Sequence, residues 1–383
     1  MQIDNKYLTM RCHWINLLAA SFATTRCGNQ HFLSPLVSGP SISQIREETN
    51  DNPLEVKRSR TKASTSTTSS STQLNLESAA RKRWQYTLSK DVDTDLPRRP
   101  FGRFITSIFR ILLAYYTKFI MNAMNKTYLH DENNNLRYLF DREDDVGVLT
   151  ISNHQTVADD PGIWVGTIPL KKMNLDTMRT IVMAEEWYYS FGKYSANIFR
   201  GLNCLPIKRG DLRGLHSPAL KEMHARLNGT VASKGKTEKK KKKEWAHLMI
   251  EGRIYQSWRF QKDQPKLGKF RRGAAKLIAC SPPKKMIVLP VYHTGMDEIF
   301  PEEKPEGWNP EKNSRLAGKT NSYFPKKGKR VDVYVGDPID FSDLLPENGY
   351  DFNEVTDGAL LESINGRLFE GMLHLDALAR GIY

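Results

Sequence analysis

Cysteine is scarce in this sequence. The 383 residues contain four, Cys12, Cys27, Cys204 and Cys280, and no two stand at metal-ligand spacing. That argues against a zinc module or a disulfide scaffold and fits reduced thiols in a large core. Acid is also short: Asp+Glu 43 against Lys+Arg 57 leaves a formal net charge of +14. Such an excess attracts anionic lipid headgroups, nucleic acid or other polyanions and says nothing about the fold. Nucleic acid is the poorest of these partners, because the charge comes without an aromatic stacking platform or a reading helix. No internal repeat is visible. No serine has the glycine-flanked turn of a nucleophile elbow. A secretory signal is poorly supported, since no long apolar run follows the early basic residues.

What is present begins with a tail. Met1 to Pro40 has little acid apart from Asp4, carries Lys6, Arg11 and Arg26, and has an apolar patch from Trp14 to Ala20. This resembles an organellar presequence in composition, with an unstructured polar tail as the equal alternative. The stretch from Ala63 to Thr72 is Ser/Thr low complexity, too polar to repay the entropy of ordering. Residues 1–95 therefore read as a targeting and disordered tail. Residues 96–130 read as a membrane-interface segment, and residues 131–383 as a folded domain with a basic insertion at 230–244.

The longest apolar stretch, Phe104 to Met124, is interrupted by Arg110 and Lys118. At helical spacing Arg103, Thr106, Ser107, Arg110, Thr117 and Lys118 gather on one side. Ile105, Ile108, Leu112, Tyr115, Tyr116 and Phe119 fall on the other. A charge at the bilayer centre costs roughly 2.5–3.5 kcal/mol on insertion scales, whereas a helix lying in the interface satisfies both faces. The expectation is an interfacial helix, with Arg110 and Phe119 among the membrane-binding residues. The alternative is an ordinary amphipathic helix packed on the domain's own core.

From residue 131 the pattern is α/β. Val146–Ser152, Thr180–Ala184, Leu205–Lys208, Trp245–Ile250, Met286–Tyr292 and Arg330–Val335 read as strands. Pro218–Leu227, Lys269–Ala279 and about Asn353–Ala379 read as helices. The alternation predicts a mixed, largely parallel sheet flanked by helices.

The most informative run is Ser152-Asn153-His154-Gln155-Thr156-Val157-Ala158-Asp159-Asp160-Pro161. A histidine at the carboxyl end of a buried strand stands where α/β proteins often place their chemistry. Five residues on, past the turn into a helix, Asp159 can return beside the imidazole. An aspartate on one ring nitrogen fixes the tautomer and leaves the other nitrogen to take a proton from a hydroxyl. With no serine nucleophile, that hydroxyl belongs to a substrate. A metal held by His154, Asp159 and Asp160 lacks further His or Cys in support, so no metal is expected. Two other strand ends carry suitable groups: Arg209-Gly210, with a cation for phosphate, and Glu251-Gly252, where the backbone can approach a ligand closely. The lysine run Lys239, Lys240, Lys241, Lys242, Lys243 is either a solvated loop or an anionic-membrane dock, at about 1 kcal/mol per lysine near the surface.

Asn153-His154 with Asp159-Asp160-Pro161, then Pro206 to Gly210, Glu251-Gly252 and Val288-Leu289-Pro290 resemble, in that order, the four blocks of the glycerolipid acyltransferases. Within that superfamily the chain is most similar to the tafazzin family. The supporting runs are Trp245-Ala246-His247 ahead of Glu251-Gly252, and Leu289-Pro290-Val291-Tyr292-His293-Thr294-Gly295-Met296. The resemblance implies acyl transfer between phospholipid and lysophospholipid without obligatory coenzyme A or other cofactor. It also implies cardiolipin remodelling on a mitochondrial membrane, on the intermembrane-space side. By position it makes His154 and Asp159 the catalytic pair, with Arg209, Gly210, Glu251 and Gly252 lining the glycerophosphate site. His293 either faces the catalytic cleft or closes the sheet edge, with the structural role preferred. Met249-Ile250 stands where the family usually has Phe-Pro, and the segment between Gly229 and Trp245 is longer than usual. The rival readings are an acyl-CoA-dependent lysophospholipid or glycerol-phosphate acyltransferase, and a non-catalytic membrane scaffold.

Overall fold

The run Gly147–Ser152 carries no charge and is buried along its whole length, as a β-branched strand in the middle of a parallel sheet must be. A computed structural model describes residues 100–172, 179–189, 193–208, 215, 217–230, 242–308, 319–320, 324–355 and 357–382. The tail read from residues 1–95 lies outside them, as do Arg209, Gly210, Lys239, Lys240 and Lys241.

Among the described residues the main sheet has seven strands. They are β1 (Lys126–His130), β2 (Gly147–Ser152), β3 (Thr180–Ala184), β4 (Cys204–Ile207), β5 (Trp245–Met249), β6 (Met286–Thr294) and a late strand Arg330–Val335, here β9. Glu302–Glu303 (β7) and Lys319–Thr320 (β8) form a separate antiparallel pair. The order in the main sheet is β1-β9-β6-β2-β5-β3-β4. The run from β6 through β4 is parallel; β9 lies antiparallel to β6, and β1 is parallel to β9. This is the mixed, largely parallel sheet that the alternation predicts.

Side chains alternate across β2. Leu149 and Ile151 join the large core cluster with helices α4 (Pro218–Leu227), α5 (Arg272–Ala279) and α6 (Gly358–Ala379). Thr150 and Ser152 turn the other way, toward helix α2 (Asp159–Thr167). Helix α3 (Lys193–Gly201) leads into β4.

Helix α1 (Pro100–Lys118) continues as a π-helix, Phe119–Met124, and has its faces reversed relative to an ordinary packed helix. Its polar side is the one against the protein. Arg110 donates Nε to the Gly201 carbonyl at 2.7 Å, with Nη2 on the same oxygen. Lys118 Nζ reaches the carbonyls of Val165 at 2.9 Å, Gly166 at 3.1 Å and Ile168 at 3.4 Å. Two cations thus sit on the carboxyl ends of α3 and α2, where helix dipoles favour positive charge. The apolar side faces outward: Phe104, Ile111, Leu112, Tyr115 and Phe119 are all more than half exposed. The expectation that Arg110 meets lipid headgroups is therefore corrected. Its guanidinium turns inward because Gly201 supplies an otherwise unpaired carbonyl.

Lys126–His130 also departs from expectation. It falls inside the segment read as membrane-interfacial, yet it is an edge strand of the sheet, tied to β9 by His130 Nε2 and Asp332 at 2.8 Å.

Candidate active site

The loop after β2 is built almost wholly from backbone hydrogen bonds made by side chains. Asn153 behaves as one more strand residue: its Nδ2 donates to the His293 carbonyl at 2.9 Å, and its Oδ1 accepts from the His293 N–H at 3.0 Å. His154 is held at both backbone poles. Its N–H donates to Glu251 Oε2 at 2.8 Å, and its carbonyl accepts from the Tyr255 N–H at 2.7 Å. Gln155 Oε1 accepts from the Met296 N–H at 3.2 Å. Few degrees of freedom remain for the imidazole.

Asp159, the first residue of α2, closes the turn. Its carboxylate accepts from the Gln155 N–H at 2.5 Å, the Thr156 N–H at 2.8 Å and the Thr156 hydroxyl at 2.7 Å. The fourth contact is His154 Nδ1 at 3.0 Å. Burial works to raise this carboxyl, but the His293 and His154 imidazoles and the Thr156 N–H outweigh it and hold it below its ordinary value. An ionised Asp159 requires the proton on Nδ1, which leaves Nε2 of His154 with a free lone pair. Asp159 is fully buried, while the His154 side chain keeps 10% of its surface open to solvent. The imidazole is therefore not fully sealed from solvent, as its carboxylate partner is.

His293 lies behind Asp159, fully buried, with Nε2 at 3.2 Å from the Asn153 carbonyl and 3.6 Å from Asp159 Oδ2. Burial lowers its basicity. Its ring does not reach solvent.

Glu251 sits differently from its expected place among the substrate-binding groups. It is 1% exposed, and its two oxygens accept backbone N–H groups, Oε2 from His154 and Oε1 from Gly268. With both oxygens occupied inside the fold it clamps the histidine loop to the segment after β5. Burial pushes its carboxyl up to about 8, with the two N–H bonds pulling back only part of the way. Gly252 follows at φ +63, left-handed backbone that suits glycine. A Cβ there would stand 3.0 Å from Arg271 Cγ.

The strand that leads to Arg209 and Gly210, β4, ends at the same sheet edge as β2, with β5 and β3 between them. Of the lysine run, Lys242 is exposed and pairs with Asp144 at 2.7 Å. Lys243 corrects the expectation of a surface residue: it is buried, with Nζ on the Lys285 carbonyl at 3.2 Å.

A buried polar cluster beside the end of β2 left no clear mark on the sequence. His247 bridges Thr150 Oγ1 at 2.9 Å and Ser152 Oγ at 3.3 Å, and packs edge-on against Trp164 at 5.0 Å. Burial drives this imidazole down to about 3, so it is neutral at physiological pH. Trp245 donates Nε1 to Thr150 Oγ1 at 2.9 Å. The available signal was parity: Trp245 and His247, two apart on β5, share a face with Thr150 on β2. Asp160 is likewise a structural group, paired through both oxygens with Arg179. Among the described residues no set of three or more His, Cys, Asp or Glu is placed to hold a metal.

An oriented imidazole with one open nitrogen, at the carboxyl edge of a parallel sheet, is general-base geometry. Residues 129–294 match the acyltransferase family. The chain carries an acyltransferase domain. Over 229 residues it is 29% identical to N-acylphosphatidylethanolamine synthase of Arabidopsis thaliana, covering 60% of this chain and 68% of that protein. Tafazzin of Drosophila melanogaster is 25% identical over 234 residues, 61% of this chain and 51% of that protein. Taffazin of Dictyostelium discoideum is 26% identical over 219 residues, 55% and 60% of the two chains. This chain thus spans about half of the Drosophila protein's length. The acyltransferase domain makes it an acyl-transfer enzyme, against the purely scaffolding alternative. The likeness to tafazzins is shared with the plant synthase, so the acceptor is a separate question.

Proposed function

We propose that this enzyme moves a fatty acyl group onto a phospholipid acceptor at a membrane surface, with His154 as general base and Asp159 as the carboxylate that orients it. The observation that carries the reading is the 3.0 Å contact between His154 Nδ1 and Asp159, with Nε2 left unbonded among the described residues. Nε2 takes the proton of the acceptor as its oxygen attacks the acyl carbonyl. The tetrahedral adduct collapses, the bond to the leaving oxygen or sulfur breaks, and Nε2 returns the proton to that atom. Asp159 stabilises the imidazolium between the two transfers.

The preferred acceptor is the free hydroxyl of a lysophospholipid and the donor a second phospholipid, as in the tafazzin-like reading, whose setting is cardiolipin remodelling on mitochondrial membranes. A second reading is favoured by the Arabidopsis relative, whose name describes an N-acylated phosphatidylethanolamine. In that case the acceptor is the ethanolamine amine, and Nε2 removes a proton from nitrogen instead. A coenzyme A thioester is the alternative donor in both.

The outward face of α1 supports membrane docking. The stretch Phe104–Met124 is long and apolar enough to cross a bilayer by length and composition. Its polar side, however, is committed to protein carbonyls from Arg110 to Asn122. A helix fastened along its length to the domain lies in the interface, with its apolar face in the acyl boundary.

The test uses purified protein and vesicles containing labelled phosphatidylcholine, with lysocardiolipin or phosphatidylethanolamine as acceptor, with and without an acyl thioester. The label's destination, ester or amide, names the acceptor. His154→Ala should lower the rate by about 10²–10⁴-fold while vesicle binding stays intact. Near-normal turnover in that variant would sink the assignment.

A further inference from the structure

The segment from Arg253 to Arg272 follows the Glu251-Gly252 turn and is strongly basic: Arg253, Arg259, Lys262, Lys266, Lys269, Arg271 and Arg272 stand against Asp263 alone. It is not a loose loop. Ser257 N–H donates to Asp297 Oδ2 at 2.8 Å, Gln256 Nε2 to the Phe300 carbonyl at 2.9 Å, and Gly268 N–H to Glu251. At its end Phe270 is turned into the core against Phe369, with ring centroids 5.3 Å apart, and its neighbours Lys269 and Arg271 are exposed. The Arg271 N–H is fixed on the Ile250 carbonyl at 2.8 Å, at the carboxyl end of β5.

From that anchor the Arg271 side chain lies over Gly252, close enough that a Cβ at Gly252 would stand 3.0 Å from its Cγ. The guanidinium ends exposed, with no hydrogen bond or ion pair to any described residue. Its neighbour Arg272, by contrast, is paired with Glu362 at 2.6 Å. Gly252 follows the residue that holds the His154 N–H, so the stem of this side chain lies beside the turn that anchors the His154 loop. An unpaired guanidinium on a rigid base is suited to a phosphate, which it can grip with two parallel hydrogen bonds. In a glycerophospholipid the phosphate is only a few bonds from the glycerol oxygens that accept or release acyl groups.

We propose that Arg271 is a phosphate-binding residue of the acceptor subsite, holding the phosphodiester of the lysophospholipid while its hydroxyl meets His154. This rests on the acyl-transfer reading above. The experiment compares lysophosphatidylcholine with monoacylglycerol of the same chain, at fixed donor, in wild type, Arg271→Gln, Arg271→Lys and Lys262→Gln. Arg271→Gln should raise KM for the phosphate-bearing acceptor about tenfold to a hundredfold, with kcat changed by less than about twofold. KM for monoacylglycerol should not move. Arg271→Lys should recover part of the loss, as a point charge without the fork, and Lys262→Gln should leave KM unchanged. Equal KM in wild type and Arg271→Gln overturns the proposal, and so does an equal rise in Lys262→Gln. A rise confined to the KM of an acyl-CoA donor also overturns it, because the phosphate gripped would then be the coenzyme's. If wild type transfers no acyl group in any arm, the acyl-transfer reading fails instead. The subsite is then judged by binding of dihexanoylphosphatidylcholine below its micellar concentration, followed by tryptophan fluorescence, which Arg271→Gln should weaken about tenfold or more.

Discussion

Glu251 carries two opposing demands on one carboxyl group. Two N–H donors favour the carboxylate, and near-complete burial favours the acid; burial wins and places the group at about 8 against an ordinary 4.5. The sign follows from linkage. Between those values the folded protein keeps a proton that the unfolded chain has released, so this group's contribution to stability is complete below about pH 4.5 and is lost as pH rises through about 8. Glu251→Gln removes the titration and sets an amide N–H₂ against one of the two backbone donors, a cost of about 1–3 kcal/mol. Thermal unfolding should therefore show wild type ahead of the variant at pH 5, with the gap narrowing steadily towards pH 8. A gap constant across that range would mean the carboxyl is not raised. One pair was legible in the sequence and the clamp was not. A histidine and an aspartate five apart, across a strand end and a helix start, announce a side-chain contact from spacing alone. Glu251 is spent on backbone N–H groups of His154 and Gly268, and no pattern of residue types encodes a contact with a peptide group.

Helix α1 poses the corresponding problem for an element. Its periodicity was plain in the sequence, two faces of opposite character, and the default assigns the apolar face to the core. The structure does the reverse because the polar face meets complementary partners, the carbonyl ends of α2 and α3, which Lys118 and Arg110 satisfy. Complementarity of this kind depends on where two other helices end and cannot be read from α1 itself. It also joins α1, with its exposed apolar face, to the helix that begins with Asp159. Lys118→Met removes a cation that touches three carbonyls at the end of α2, and should cost about 1–2 kcal/mol, the upper range for a partly buried charge at a helix terminus. Urea denaturation measures it. A loss under about 0.5 kcal/mol would show that the contacts contribute no more than an exposed surface charge.

For the molecule as a whole, the expected strands are recovered in place because each is rich in β-branched or apolar residues that a sheet accommodates, even where charges interrupt it as in Arg330–Val335; that strand and Thr180–Ala184 keep even their bounds. The reversed direction of β9 and the edge strand β1 were not legible. Strand direction leaves no mark on composition, and Lys126–His130 is too exposed to show a core pattern. The assembled molecule presents one surface that sequence periodicity anticipated and the fold makes unavoidable: Leu112, Tyr115 and Phe119, joined by Ile111, each more than half exposed on a helix that cannot turn them inward without breaking its hydrogen bonds to Gly201 and Gly166. Burying a leucine or an aromatic ring in an apolar phase is worth about 1.5–3 kcal/mol, so losing two should weaken docking by at least about tenfold. Leu112→Glu with Tyr115→Glu is the variant to make. Because both side chains lie outside the fold, its unfolding temperature should match wild type while its partition onto phosphatidylcholine vesicles falls. Alkaline carbonate should strip the wild-type protein from those vesicles, as it does an interfacial helix and not a spanning one. Retention after carbonate would put Phe104–Met124 across the bilayer. Undiminished vesicle binding by the double variant would move the docking surface away from α1 altogether.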